Sequence, residues 1–270
     1  MPHHDTPIDE LARLKSLLEQ GDTRAVVQAC EQRLAINEQD AASWYLLGQA
    51  HRYEDNYETA ATALRRACAL EANPGYALAY GIALQLDGQL EAAADILEQG
   101  TERWDRHPLL HNSLGLTYRK MGRYADARKE YSAAIYWHAY HLIRDKQAWY
   151  LRPNPHPPHD REPLWMRVYM DCVLKMTVED GFDAIGVAEG GVDPPEAGLF
   201  WVDGVDGQGK RQRMWLARAP SALYWLLRAD SFYATCVGNL ATVVSLLGED
   251  ELAEAYLREA EHFKPRSTNE

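Results

Sequence analysis

The segment WYLLGQAHRYEDNYETAATALRRACALEANP, residues 44–74, decides the fold. Gly48 lies in its first half and a turn follows seven residues on, at Asp55-Asn56. A small residue, Ala60, comes five residues after the start of that turn, and a large one, Leu64, four beyond it. The same order recurs twice downstream: first Gly81, Gly88-Gln89, Ala93 and Leu97, then Gly115, Gly122-Arg123, Ala127 and Tyr131. The three mid-segment glycines are 33 and 34 residues apart, each preceded by a large side chain, Leu47, Tyr80 or Leu114. Self-similarity at that period marks a repeat architecture with one helix–turn–helix per unit.

The residue types have physical reasons. Gly48, Gly81 and Gly115 let the two helices of a unit approach where a side chain would collide, and Ala60, Ala93 and Ala127 do the same from the second helix. Trp44, Leu64, Leu97 and Tyr131 fill the remaining space. A single unit cannot bury its apolar face alone, so successive units must stack. Proline at a junction, as at Pro74, suits a helix boundary because it disfavours helical geometry in the residue before it.

On these residues, 44–74 resembles a tetratricopeptide repeat, with Trp44, Leu47, Gly48, Tyr57, Ala60, Leu64 and Ala67 at the signature positions. Residues 76–100 and 111–135 repeat the resemblance, the latter through Tyr118, Gly122, Tyr124, Ala127 and Ala134. Residues 7–40 match more loosely: Leu14 and Gly21 fall in phase, but Thr23 and Arg33 sit where apolar or small residues are usual. Residues 237–265 match again through Gly248, Ala253, Leu257, Ala260 and Pro265, so the resemblance covers about 60% of the chain. It implies an all-α, right-handed superhelix, with four repeats in residues 7–141 (the first degenerate) and a last one within the helices of 221–267.

Between residues 142 and 220 the repeat is absent. Eight of the 18 glycines lie in 181–209 and five of the 13 prolines in 153–163, which excludes continuous repeat helix there. LRPNPHPPHDREP, residues 151–163, reads as an extended connector. Leu164, Trp165, Val168, Cys172, Val173 and Met176 recur at helical spacing and predict one amphipathic helix. GLFWVDGVDGQGKRQRMWLAR, residues 198–218, predicts a β-hairpin with strands near 199–203 and 211–217. Residues 177–206 carry eight acidic side chains and no Lys or Arg, followed closely by Lys210, Arg211, Arg213 and Arg218. That pattern reads as a solvated loop neutralised across the hairpin, or as an acidic lip attracting a basic partner.

Composition narrows the function classes. With 46% hydrophobic and 25% charged residues the chain belongs with globular proteins. No apolar run reaches the roughly 18–20 residues that span a bilayer. The polar, acidic start MPHHDTPIDELARLK does not read as a secretion signal, so the expected setting is the cytoplasm. A net charge of −12 opposes nucleic-acid binding and tilts the expected partners toward basic or neutral proteins.

No motif carries catalytic or metal chemistry. The pairs His107/His111, His138/His141 and His156/His159 lack a metal-binding frame and a nearby cysteine. Cys30, Cys68, Cys172 and Cys236 form no CxxC pair, and three of them lie in apolar helical contexts as small core residues. Asp203–Lys210 lacks the alternating ligands of a calcium loop and reads as a hairpin turn, while Gly186–Gly191 lacks a phosphate-binding Lys and reads as a loop. The expectation is a non-enzymatic protein without cofactor or metal, with an enzyme whose site lies in the 142–220 insert as the lesser alternative.

What remains is the repeat groove. The resemblance implies that the first helix of each unit lines a concave face through Tyr45, Gln49 and Arg52, then Leu78, Ile82 and Gln85, then Asn112, Leu116 and Arg119. Apolar in the middle and polar at the ends, the set suits a peptide or protein segment. The competing expectations are that several of these residues pack on the next repeat or the insert, or that the insert plugs the groove and its aromatic residues drive self-association. The Tyr45 and Gln49 positions depart from the Lys and Asn with which chaperone-binding relatives clamp a peptide carboxylate.

Overall fold

The computed structural model describes residues 7–145, 163–179, 182–187, 199–205, 211–217, 226–228 and 230–264, in two compact units, Met1–Arg123 and Tyr124–Glu270. The proline-rich connector lies outside the described residues apart from Pro163, and so do His156, His159 and most of the acidic run.

The first unit is a succession of helices: α1 (Pro7–Glu19), α2 (Thr23–Ile36), α3 (Ala41–Tyr53), α4 (Tyr57–Leu70), α5 (Pro74–Leu86), α6 (Leu90–Arg103) and α7 (Pro108–Lys120). Local chemistry starts and stops them. Side-chain oxygens of Asp22, Asp40 and Asn73 accept from the amides of Ala25, Ser43 and Gly75, satisfying donors that a helix start leaves open. Pro74 and Pro108 open α5 and α7, where the missing N–H costs nothing. The turns between paired helices use Gly21, Asp55, Gly88 and Gly122, all left-handed, with φ of 83°, 57°, 81° and 76°.

Packing follows the repeat. Ala60, Leu64, Ala67, Ala93 and Leu97 are fully buried, and the slots for Leu64 and Leu97 exist because Gly48 and Gly81 carry no side chain. The degenerate first unit is held differently. Arg33 reaches Asp40 at 2.8 Å, Ser43 at 2.9 Å, and also Glu10, so it ties α1 and α2 to the start of α3. Its presence in place of an apolar residue is thereby explained.

The second unit contains α8 (Tyr124–Asp145), α9 (Leu164–Glu179), α10 (Ser231–Leu246) and α11 (Asp250–Phe263), with three strands between α9 and α10. The predicted amphipathic helix is α9, which lies against α8: Cys172 and Val168 are buried, and the Lys175 ammonium sits 5.4 Å from the Trp137 ring centre. The hairpin is present as β2 (Leu199–Val205) and β3 (Arg211–Ala217), antiparallel, with Trp201 opposite Trp215. A further strand, β1 (Phe182–Val187), pairs antiparallel with β2, so Gly186 and Val187 belong to a strand rather than a loop. The repeat class is therefore joined by a three-stranded sheet of order β1-β2-β3.

The last repeat departs from the pattern at one position. Leu257 matches Leu64 and Leu97 in sequence but is 49% exposed, while α11 buries Ala253, Tyr256, Ala260 and Phe263. Ala241 stands seven residues before the Gly248 turn, where the other repeats have Gly48 and Gly81. That position therefore lacks the glycine beside which Leu64 and Leu97 pack in the earlier repeats.

Candidate functional site

In the first unit α1, α3, α5 and α7 touch one another in turn, so their free faces form one continuous surface. Its N-terminal end holds a cleft of 260 Å³ walled by Leu11, Lys15, Ala42, Tyr45 and Tyr76, among others. Tyr45 and Tyr76 are stacked, with ring centres 4.8 Å apart and planes inclined by 27°. The Tyr45 hydroxyl accepts from Gln49 Nε2 at 2.8 Å, and Gln49 Oε1 accepts from Arg52 Nε at 2.8 Å. This chain of bonds along α3 fixes the Arg52 guanidinium, whose centre also lies 5.1 Å from the Tyr53 ring. Tyr45, Gln49 and Arg52 thus form one connected group.

Leu78 and Ile82 on α5, and Asn112, Leu116 and Arg119 on α7, stand half-buried. Gln85 is different. It is 5% exposed, and its amide donates to the Ser113 carbonyl at 2.8 Å and to the Thr117 hydroxyl, which fastens α5 to α7. Its side chain is committed to packing between repeats.

Sequence reasoning left out Leu11, Lys15 and Tyr76. Leu11 and Lys15 lie one repeat length, 34 residues, before Tyr45 and Gln49, so extending the period into the degenerate first unit was enough to find them. Tyr76 lies outside the usual groove positions and enters through its stack on Tyr45. Burial raises the Tyr76 hydroxyl above its ordinary value, so it stays neutral.

Elsewhere among the described residues the titratable side chains serve packing and capping. Burial pushes the Cys68 thiol up to about 11 and the Cys30 thiol up to about 12, and raises Cys172 and Cys236 as well. None of the four is a thiolate near neutral pH. His111 is buried with Nε2 2.7 Å from the Asp105 carbonyl, and His107 Nδ1 caps α7 through the Leu110 amide at 3.4 Å. Among the described residues no group of three His, Cys, Asp or Glu side chains could hold a metal ion. None of the described helices is long and apolar enough to cross a membrane.

The sequence profile of the tetratricopeptide repeat matches residues 41–74 and 110–140. The chain contains tetratricopeptide repeats. No curated protein sequence matches it. Among solved structures, a crystal structure of MamA superposes with a TM-score of 0.53 at 11% identity, covering 96% of this chain and 95% of that one. A second MamA structure gives 0.51 at 12% identity, with coverage of 93% and 87%. Likeness at this identity speaks to the fold, which is that of stacked tetratricopeptide repeats. Tetratricopeptide-repeat proteins are in general non-enzymatic scaffolds that bind other proteins.

Proposed function

We propose that this tetratricopeptide-repeat protein is an interaction scaffold whose concave face in the first unit holds an extended protein segment rich in acidic and apolar residues. One observation carries the reading. The groove positions of α1, α3, α5 and α7 include three cations, Lys15, Arg52 and Arg119, and no carboxylate. Among the described residues none of the three is in a salt bridge. The net charge of −12 points toward basic partners, yet the surface shaped to receive a partner has the opposite local sign. Local potential, not net charge, selects what docks in a concave site. Between the cations lie Leu78, Ile82 and Leu116, and the Tyr45/Tyr76 cleft accepts one large apolar side chain.

The test is a titration of the full chain into two fluorescein-labelled peptides, one alternating Glu with Leu and Phe, the other with Lys replacing every Glu. The acidic peptide should bind more tightly, weaken with salt, and lose affinity on Ile82→Asp and on Arg52→Glu. Each lost rim contact should weaken binding several-fold, on the order of 0.5–1 kcal/mol. Equal binding of both peptides, or binding untouched by Ile82→Asp in a chain of unchanged circular dichroism, would place the partner elsewhere.

A further inference from the structure

We infer that a cleft in the second unit, between the start of α9 and the outer face of α11, binds a small organic acid: an aromatic body carrying one carboxylate, held by Arg167. The inference is independent of the groove. The cleft has a volume of 460 Å³, within the range that drug-sized ligands occupy. Its walls are largely apolar and aromatic, with Trp165, Leu252, Tyr256 and Phe263 prominent. The Trp165 and Phe263 rings meet edge to face at 6.3 Å, and Phe263 is itself backed by Tyr233 at 5.2 Å. The walls are therefore built on core contacts.

Among the described residues the one carboxylate in this wall, Glu259, is already engaged. Glu259 accepts from the Leu164 amide at 2.8 Å, from the Trp165 amide at 2.9 Å and from the Tyr233 hydroxyl. The cation beside it is held only loosely, although the Asp171 carboxylate one turn on in α9 feels its charge. Arg167 Nε is buried with no hydrogen-bond partner, its Nη2 makes one long bond of 3.3 Å to the Tyr256 hydroxyl, and it is in no salt bridge among the described residues. A buried guanidinium N–H left open calls for an acceptor, and the fork of an arginine matches a carboxylate with two parallel bonds. At the rim Arg258 is 72% exposed and only 3.5 Å from an equally exposed Glu254, so it is free to turn toward an incoming anion.

The same features select among anions. A phosphate would bring a second negative charge close to Glu259 with a single fixed cation to balance it, which favours a monoanion. A peptide main chain needs hydrogen-bond partners of its own, and the amides of Leu164 and Trp165 are already occupied by Glu259. A compact aromatic acid needs neither.

The experiment is calorimetric titration of the full chain with 2-naphthoate and, separately, with the uncharged 2-naphthamide. The acid should saturate one site per chain and bind at least tenfold more tightly than the amide. Arg167→Met, which keeps the apolar stem and removes the charge, should weaken the acid at least tenfold and leave the amide unchanged. Ala255→Trp, on the exposed face of α11, fills the cleft without touching the core and should abolish binding even where Arg167→Met impairs folding. Equal affinities for acid and amide, or naphthoate binding that survives Ala255→Trp, overturn the proposal. So does a short peptide ending in Phe with a free carboxylate if it binds more tightly than naphthoate, because the ligand would then be a protein C-terminus.

Discussion

Gly81 lies so close to Leu97 that a Cβ placed on it would stand 2.6 Å from both Cγ and Cδ2 of that side chain. Leu97 is fully buried, so it cannot swing into solvent to make room. Two effects then oppose each other in Gly81→Ala. Helix propensity favours alanine by about 1 kcal/mol, while forcing a methyl group into a filled core costs about 1–3 kcal/mol. Overpacking wins, and the variant should be less stable than the parent by about 1 kcal/mol in urea unfolding. The double variant Gly81→Ala with Leu97→Val should lose less than the two single changes added together. Strict additivity would mean that the close approach of the two residues is not what the glycine serves.

The turn glycines act for another reason, and the contrast is testable. Nothing lies within 4 Å of a Cβ added at Gly88, but its φ is 81°. Gly88→Ala should therefore be destabilising by about 1 kcal/mol from backbone geometry alone, with no rescue from any neighbour. Asp55 takes the same place with φ of 57°, so Asp55→Gly should be stabilising. The gain should stay under about 1 kcal/mol, because the exposed bond from the Tyr57 hydroxyl to Asp55, 2.6 Å long, is lost. A destabilised Asp55→Gly would show that this bond outweighs the backbone strain.

These two glycine roles explain why the repeat is legible in sequence. Close approach and left-handed turns each leave a residue that few others can replace, at fixed spacing, so Gly48, Gly81, Gly88 and Gly122 can be read without coordinates. Other features depend on what lies across from a residue. Gln85 shares its repeat position with Arg52 and Arg119, yet it is buried because Ser113 and Thr117 happen to offer acceptors to its amide. Leu257 satisfies the signature but is exposed, and the position that holds Gly48 and Gly81 in the earlier repeats is Ala241 here. The strand β1 is short, with glycine at 186, and exists through its pairing with β2, which no local pattern announces. Lys15 was hidden only by the degeneracy of the first unit.

His138 makes the stability of the second unit dependent on pH. It is largely buried, with Nε2 3.0 Å from an Asp230 carboxylate oxygen but outside hydrogen-bond geometry, and its ring lies edge-on to Phe232. Burial holds its pKa below the usual value and the neighbouring His141 pushes the same way, while Asp230 only partly offsets them. The folded state thus favours the neutral ring. Stability is full above the unfolded-state pKa of about 6.5 and falls as pH drops from there through the depressed folded value. The urea midpoint should decline between about pH 7 and about pH 5, and His138→Gln should flatten that decline. An unchanged slope in the variant would assign the acid sensitivity to other groups.

Glu259 decides whether α9 stays docked. Its two carboxylate oxygens accept from the first amides of that helix, at Leu164 and Trp165, and one of them also accepts from the buried Tyr233 hydroxyl. A negative charge at a helix start is favoured by the exposed N–H groups there, and this one comes from α11 rather than from the helix itself. Glu259→Gln removes the charge and turns one acceptor into a donor facing a donor, so it should cost about 2–3 kcal/mol, the value of bonds to a charged partner. Tyr233→Phe removes a single bond and should cost less, about 1 kcal/mol. Hydrogen exchange separates a local effect from a global one. In Glu259→Gln the amides of Leu164 and Trp165 should exchange far faster while those in the middle of α3 keep their protection. Equal loss of protection in both places would mean that Glu259 supports the whole chain and not the docking of one helix.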